Sequence, residues 1–173
     1  MNTKYLLQYP LTLIHDNDIL FVLNKFLKLL LAIIICEGAG LIGSFFTVNS
    51  VNTWYTTLNK PFFNPPSWIF GPVWTILYLL MGVSLYLAWG TKKISLKWFW
   101  IQLVLNSLWS ILFFGLKNPT LALFEVIFLW VAIFMTIKSF WKHNRTASWL
   151  LLPYLFWVTF ASVLNLAIVL LNR

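Results

Sequence analysis

The chain has 173 residues, of which 61% are hydrophobic and 9% are charged, and its mean hydropathy is +0.84. Soluble globular domains carry about 25% charged residues, so this composition excludes that class and indicates a polytopic membrane protein. The formal net charge is +8, which in a soluble protein would suggest nucleic acid as a partner. Here the basic residues flank apolar segments, where they set topology and contact membrane lipid, so no nucleic acid partner is expected.

At about 20 residues per span, the chain has room for about five crossings with short loops and no separate soluble domain. Residues 1–25 are mixed in character and are predicted to form an N-terminal extension at the membrane interface, in which Asp16 or Asp18 caps a helix. Residues 26–173 form the predicted transmembrane domain. One cysteine and two histidines leave no disulfide framework and are too few for the usual ligand set of a metal site.

The first predicted span, residues 26–46, carries small residues every four positions, at Cys36, Gly40 and Ser44. This spacing lets another helix approach closely, either within one bundle or between subunits. Glu37 lies near the middle of the span, where a carboxylate is costly and normally faces protein or water. We expect Glu37 to be protonated and hydrogen-bonded across a helix contact, and a functional role remains the alternative.

The loop and second span, residues 54–80, read WYTTLNKPFFNPPSWIFGPVWTILYLL, and the second span is predicted over residues 66–89. Pro65 and Pro66 fit a first helical turn, which Asn64 would cap. Pro72 is then predicted to fall inside the helix and to kink it.

The third, fourth and fifth spans are predicted over residues 98–115, 120–141 and 148–171. Two of them place polar and aromatic residues three or four positions apart, and therefore on one helix face. These residues are Gln102, Asn106, Trp109 and Phe113 in the third span, and Trp157, Ala161, Leu164, Asn165 and Ile168 in the fifth. In the fourth span, Glu125 lies about one and a half turns inside the helix.

The basic residues are distributed unequally between the two sides that five spans would create. One side holds nine, namely Lys4, Lys25, Lys28, Lys92, Lys93, Lys97, Lys138, Lys142 and Arg145. The other holds three, namely Lys60, Lys117 and Arg173. The positive-inside rule therefore predicts a cytoplasmic N-terminus and an external first loop, for a bacterial inner membrane.

Residues of four segments are predicted to reach similar depths. At about 1.5 Å per residue, Trp74, Glu125 and Asn165 each lie about 10 Å inside the same side of the membrane, with Asn106 and Trp157 deeper. The result is an apolar, aromatic cavity that opens toward residues 60–68 and suits a flat hydrophobic ligand with a polar edge. Simple filling of a five-helix core is the alternative. No phosphate loop, CxxC, HExxH or nucleophile–base pair points to a soluble enzyme.

The 54–80 string is similar to WYxxLxKPxxxPPxWxFGPVWxxLY, the signature of the TspO/MBR family of tryptophan-rich sensory proteins and translocator proteins (peripheral benzodiazepine receptors). Two further strings resemble the family, QLVLNSLWSILFFGLKNPTLAL around the third span and LLPYLFWVTFASVLN in the fifth. The resemblance covers about residues 37–172. It implies an all-α bundle of five transmembrane helices, commonly a homodimer, that binds porphyrins or related tetrapyrroles without a cofactor of its own.

The resemblance also implies which residues line the ligand cavity. By motif position these are Asn64, Phe70, Val73, Trp74, Asn106, Trp109, Leu121, Phe124, Phe128, Trp157, Ala161, Leu164 and Asn165. Glu125 matches the family's acidic position early in the fourth helix, and we expect it to be hydrogen-bonded beneath a lid formed by the first loop. No metal site is implied.

Three functions stay open from the resemblance. The protein is a sensor, regulator or transporter that binds tetrapyrroles, or an enzyme that degrades porphyrins with light and oxygen, or a structural scaffold. Trp74 and Trp157 match the two tryptophans implicated in bacterial porphyrin photodegradation. The cholesterol-recognition tyrosine of mitochondrial relatives is absent from LNLAIVLLNR, which lowers the expectation of sterol binding. A eukaryotic member would lie in the mitochondrial outer membrane.

Overall fold

The computed structural model describes residues 16–91 and 93–173, with side chains described from residue 21 onward. Within these residues the chain is helical and contains no strand. The helices are α1 (Asp16–Val51), α2 (Trp54–Thr57), α3 (Phe70–Trp89), α4 (Lys97–Ser110), α5 (Pro119–Trp141), α6 (Arg145–Trp149) and α7 (Leu152–Leu171). A 3₁₀ turn, Ser67–Ile69, leads into α3, and a π-helical turn, Ile111–Gly115, ends α4.

Five helical segments are long and apolar enough to cross a membrane, which confirms the predicted all-α bundle of five spans. They are Phe21–Val51, Ser67–Trp89, Lys97–Gly115, Pro119–Trp141 and Arg145–Leu171. The first helix begins at Asp16 and passes residue 25 without a break. The rest of the predicted N-terminal extension, and the capping side chains proposed for it, lie outside the described part of the chain.

The entry into the second span differs from its sequence prediction. Pro65 and Pro66 precede the helical turn that begins at Ser67, and Asn64 caps no helix. Each proline disfavours helical backbone in the residue before it, which keeps Asn64 and Pro65 out of the helix. Pro66 is itself extended, with φ −56° and ψ 139°. Asn64 instead accepts a hydrogen bond from the Tyr55 hydroxyl (2.5 Å).

Pro72 is the third residue of α3, and not a residue of the helix interior as predicted. The first four N–H groups of a helix have no partner in the preceding turn, so a proline at this position removes no hydrogen bond from α3. The kink that the sequence predicted at Pro72 is therefore not required.

Small residues let α1 approach α3 and α4 within the bundle. A Cβ atom on Gly82 would lie 2.7 Å from the Cα of Ile33 and 3.1 Å from its backbone nitrogen, so the two backbones are in direct contact. The Tyr78 ring occupies the space in which Gly40 lacks a side chain. Gly43 packs in the same way against Ser110 of α4. Gly40 and Gly43 of α1 therefore serve packing inside the bundle.

We predict that Gly82→Ala destabilises the protein by about 1–3 kcal/mol, because the added methyl group meets the backbone of Ile33 and must push α1 and α3 apart. Gly38→Ala is the matched control, since a Cβ at Gly38 meets nothing within 4 Å. That control should be neutral or should stabilise α1 by about 0.5–1 kcal/mol through helix propensity. Melting temperatures of both variants in detergent would test this, and equal temperatures would contradict the proposed close contact.

Candidate ligand-binding cavity

A cavity of about 610 Å³ lies between α1, α3, the end of α4 and α7, next to the first loop. It is lined mainly by apolar and aromatic side chains and falls within the range of about 300–1,000 Å³ that small-molecule sites occupy. Seven of the residues predicted to contact ligand line it: Phe70, Trp74, Trp109, Trp157, Ala161, Leu164 and Asn165.

The aromatic wall of the cavity joins α3 to α7. The rings of Phe70 and Trp157 meet edge to face, with centroids 6.2 Å apart. The Trp74 ring meets Tyr154 in the same manner at 6.1 Å. Such edge contacts hold each indole in one orientation through packing. The two tryptophans that the family resemblance singled out therefore lie on one wall, each fixed by an aromatic ring of the facing helix.

Three buried side chains next to this wall, Tyr78, Asn106 and Tyr154, are joined by hydrogen bonds. The Tyr78 hydroxyl of α3 donates to the side-chain oxygen of Asn106 in α4. The amide nitrogen of Asn106 then donates to the Tyr154 hydroxyl of α7 (2.9 Å). Asn106 itself is not part of the main cavity, but lies beside a small internal void next to Trp74 and Trp109. Its role in the structure is to join three spans through polar contacts.

The first loop forms the end of the cavity through Tyr55 of α2. Its ring is buried against Phe113 and Phe114 at the end of the third span, and the side chain lines the cavity. Burial raises the pKa of the Tyr55 phenol from 10.0 to about 12, so the neutral donor that bonds to Asn64 persists above pH 10. The raised pKa means that this stabilisation is complete below pH 10 and is lost as pH rises through about 12.

Two further polar contacts hold the first loop in place. The Lys60 ammonium donates to the backbone carbonyls of Tyr55 (2.9 Å), Thr56 (3.3 Å) and Leu58 (2.9 Å), which end α2 without intrahelical partners. The backbone of Asn59 is paired with the side-chain amide of Asn172: the Asn59 N–H donates to the amide oxygen (2.9 Å), and the amide nitrogen donates to the Asn59 carbonyl (2.9 Å). The loop is thus tied to the end of α7.

Three predicted site residues on α5 do not reach the cavity. Leu121, Phe124 and Phe128 are 47%, 62% and 67% exposed and lie on the outer surface of the bundle, where lipid would cover them. Val73 is half-buried and packs against the main core. Asn64 touches the site only through its hydrogen bond with Tyr55.

The two intramembrane carboxyl groups take positions opposite to those expected. Glu37 lines the cavity, whereas Glu125 does not. Glu125 is buried, and neither of its oxygens has a hydrogen-bond partner among the described residues. The expectation that Glu125 is hydrogen-bonded beneath the lid is therefore not met in this structure.

Asn165 joins α7 to the start of α5. With its amide nitrogen facing the Pro119 carbonyl (3.0 Å), its oxygen accepts a hydrogen bond from the backbone N–H of Leu123 (3.1 Å). These two backbone groups are four residues apart in α5, so the amide bridges the beginning of that helix. Asn165 therefore lines the cavity with little free hydrogen-bonding capacity.

The wall formed by α1 is the part of the cavity that the sequence interpretation missed. It consists of Glu37, Gly40, Leu41, Ser44, Thr47, Val48 and Val51, with Asn52 directly after the helix. Most of these positions follow one another at three or four residues and so share one helix face. The signal was present in the small-residue stripe, which the sequence interpretation assigned to helix packing alone.

The cavity is open at its side. Leu41 of α1 and Trp68 of the 3₁₀ turn both line it, although they are 70% and 73% exposed on the outside of the bundle. Beyond the close contact at Gly40, α1 and α3 are therefore separated by the cavity, whose mouth faces the membrane.

Among the described residues, no group of three or more His, Cys, Asp or Glu side chains could hold a metal ion. Binding would rest on shape, aromatic contact and a few polar atoms.

Comparison with known proteins now defines the family. The model of the TspO/MBR family matches residues 32–171, which include all five spans. The chain belongs to the TspO/MBR family. It is 51% identical over 151 residues to a tryptophan-rich protein TspO of Archaeoglobus fulgidus, covering 84% of this chain and 97% of that protein.

Other relatives of this TspO/MBR protein extend from bacteria to animals. A tryptophan-rich protein TspO of Chlorobaculum tepidum is 45% identical over 155 residues, covering 86% of this chain and 98% of the relative. The translocator protein of Homo sapiens is 36% identical over 131 residues, covering 72% and 78%. These matches confirm the resemblance drawn from the three sequence strings and make this an integral, multi-pass membrane protein.

We predict that Asn106→Leu destabilises this TspO/MBR protein by about 1–3 kcal/mol per hydroxyl group left unpaired, because Tyr78 and Tyr154 both lose their partner in a buried site. Ser44→Ala is the control, since the Ser44 hydroxyl only donates to the Leu41 carbonyl of its own helix (2.9 Å) at an exposed position. Chemical or thermal unfolding in detergent would measure both changes. A cost of Asn106→Leu no larger than that of Ser44→Ala would show that the chain of hydrogen bonds is not stabilising.

Proposed function

We propose that this protein binds porphyrins or related tetrapyrroles in the cavity and acts in the membrane as a sensor, regulator or transporter. The observation that carries the proposal is the aromatic wall, in which Trp74 and Trp157 face one cavity of about 610 Å³. A flat macrocycle is bound best by aromatic rings held in fixed orientations, since stacking and burial both increase with contact area. The lateral mouth leaves room for the substituents of a macrocycle at the lipid boundary.

The orientation of the protein is part of the same proposal. The surplus of basic residues at the ends remote from the first loop supports a cytoplasmic N-terminus in a bacterial inner membrane. The first loop and the nearby end of the cavity would then lie on the outer side.

A titration with protoporphyrin tests binding, with quenching of tryptophan fluorescence as the signal. We expect saturable quenching, and we expect Ala161→Phe to weaken affinity by about tenfold or more, because the larger side chain takes up cavity volume. Val163→Phe on the same helix is the matched control, since Val163 is 52% exposed on the outer surface. Its affinity should stay within about twofold of the wild type. Absence of saturable quenching, or equal effects of both substitutions, would contradict the proposed site.

An enzyme that degrades porphyrins under light and oxygen is the second candidate function. It is favoured by the same wall, because Trp74 and Trp157 would both contact a macrocycle in the cavity and an indole can form a radical. Oxidation of the protein by any bound photosensitiser would produce some bleaching as well, so bleaching alone does not separate the two functions.

Illumination of the protoporphyrin complex separates the two functions when wild type and Trp157→Phe are compared at equal ligand occupancy. For the binding function we expect equal rates of absorbance loss, since the phenylalanine preserves an aromatic wall. Unchanged affinity together with loss of turnover in Trp157→Phe would support the enzyme instead. Trp149→Phe is the control for general tryptophan loss, because Trp149 is exposed and lies outside the cavity.

A further inference from the structure

Among the described residues, one acidic side chain lines the cavity. Of the described residues that line it, Glu37 is the single carboxyl group, and none is lysine, arginine or histidine. The nearby loop cation, Lys60, is occupied by three backbone carbonyls and is not part of the lining. A ligand that carries negative charge therefore finds no cation inside the cavity.

Glu37 lies at the deep end of the cavity. It is fourteen residues before Val51, the last lining residue of α1, which corresponds to about 21 Å along the helix. The lining residue Leu41 is one turn further along the same face and is exposed to the membrane. The carboxyl group thus lies at the interior end of an opening that a ligand can enter from the bilayer.

Three of the other polar side chains that line the cavity already have hydrogen-bond partners. The Tyr78 hydroxyl donates to Asn106, the Ser44 hydroxyl to the Leu41 carbonyl (2.9 Å), and the Thr75 hydroxyl to the Gly71 carbonyl (3.1 Å). Glu37 makes no hydrogen bond or ion pair with any described residue, and its half-buried state leaves it facing the cavity. A carboxyl group inside a membrane span is costly unless a partner meets it, and typically marks a functional site.

We propose that Glu37 is the ligand-orienting and selectivity group of the cavity, and that it accepts a hydrogen bond from an amine or N–H group on a flat apolar ligand. The proposal rests on the function proposed above and specifies which ligands the same site prefers. Amines are favoured over neutral ligands of the same shape because they can pair with the carboxyl group, and ligands with a carboxylate at the deep end find no cation among the described lining residues. A tetrapyrrole consequently binds with its carboxylate edge toward the loop.

Three pyrene derivatives of similar shape provide the test: pyrenemethylamine, methylpyrene and pyrenecarboxylate. Their binding is followed by energy transfer from tryptophan to pyrene in a non-ionic detergent. We expect the wild type to bind the amine about tenfold or more tightly than the carboxylate, with methylpyrene between them. Glu37→Gln should reduce this ratio to about threefold or less while leaving methylpyrene affinity unchanged.

Glu125→Gln is the matched control, because it removes the other described intramembrane carboxyl group, which lies outside the cavity. It should keep the preference of the wild type. A preference that survives Glu37→Gln, or one that Glu125→Gln abolishes, overturns the proposal.

Wild-type protein alone supplies a second readout if Glu37→Gln does not fold. Dicyclohexylcarbodiimide, an apolar reagent for carboxyl groups, should modify Glu37 from the membrane side, as detected by mass spectrometry of its peptide. Saturating pyrenemethylamine should protect Glu37, and methylpyrene at equal occupancy should protect it less. Equal protection by both ligands overturns the proposal.

The pyrene and protoporphyrin experiments test the two proposals separately, so that either proposal can be rejected without the other. A preference for amines that depends on Glu37, with no binding of protoporphyrin, supports this inference and rejects the tetrapyrrole function. Binding of protoporphyrin, with an amine preference that Glu37→Gln leaves unchanged, rejects this inference alone.

Discussion

The contact between α1 and α3 determines where the cavity can form. The two backbones touch at Gly82 and Ile33, and the Tyr78 ring fills the space beside Gly40. Closer to the first loop, the same two helices form walls of the cavity. One pair of helices therefore provides both a tightly packed half of the bundle and an open half. The position of the small residues decides where the packed half ends.

The part of the bundle around the cavity is stabilised by hydrogen bonds outside the space between α1 and α3. Asn106 joins Tyr78 and Tyr154 across three spans, and Asn59 pairs with Asn172 to tie the first loop to α7. The buried contacts of Asn106 use neutral polar groups, which a membrane interior tolerates when each is hydrogen-bonded. The aromatic wall can thus stay in place while the side between α1 and α3 remains open.

The sequence predicted the five spans, the family and the wall of Trp74 and Trp157, because hydropathy and motif spacing are local properties. It did not predict which face of α5 points inward. Phe124 and Glu125 are adjacent in the chain and about 100° apart on the helix, so one is exposed while the other is buried. Periodicity shows which residues share a face, but contacts between helices decide the direction of that face. The position of Glu37 was predicted wrongly for the same reason, since α1 presents it to the cavity and not to a helix contact.

A structure of the protein with bound protoporphyrin is the most direct test of the proposed site. Density for the macrocycle is expected between α1 and α3, against Trp74 and Trp157, with its carboxylate edge toward the first loop. Density on the outer face of α5, against Phe124 and Phe128, would contradict the assignment of the cavity as the ligand site.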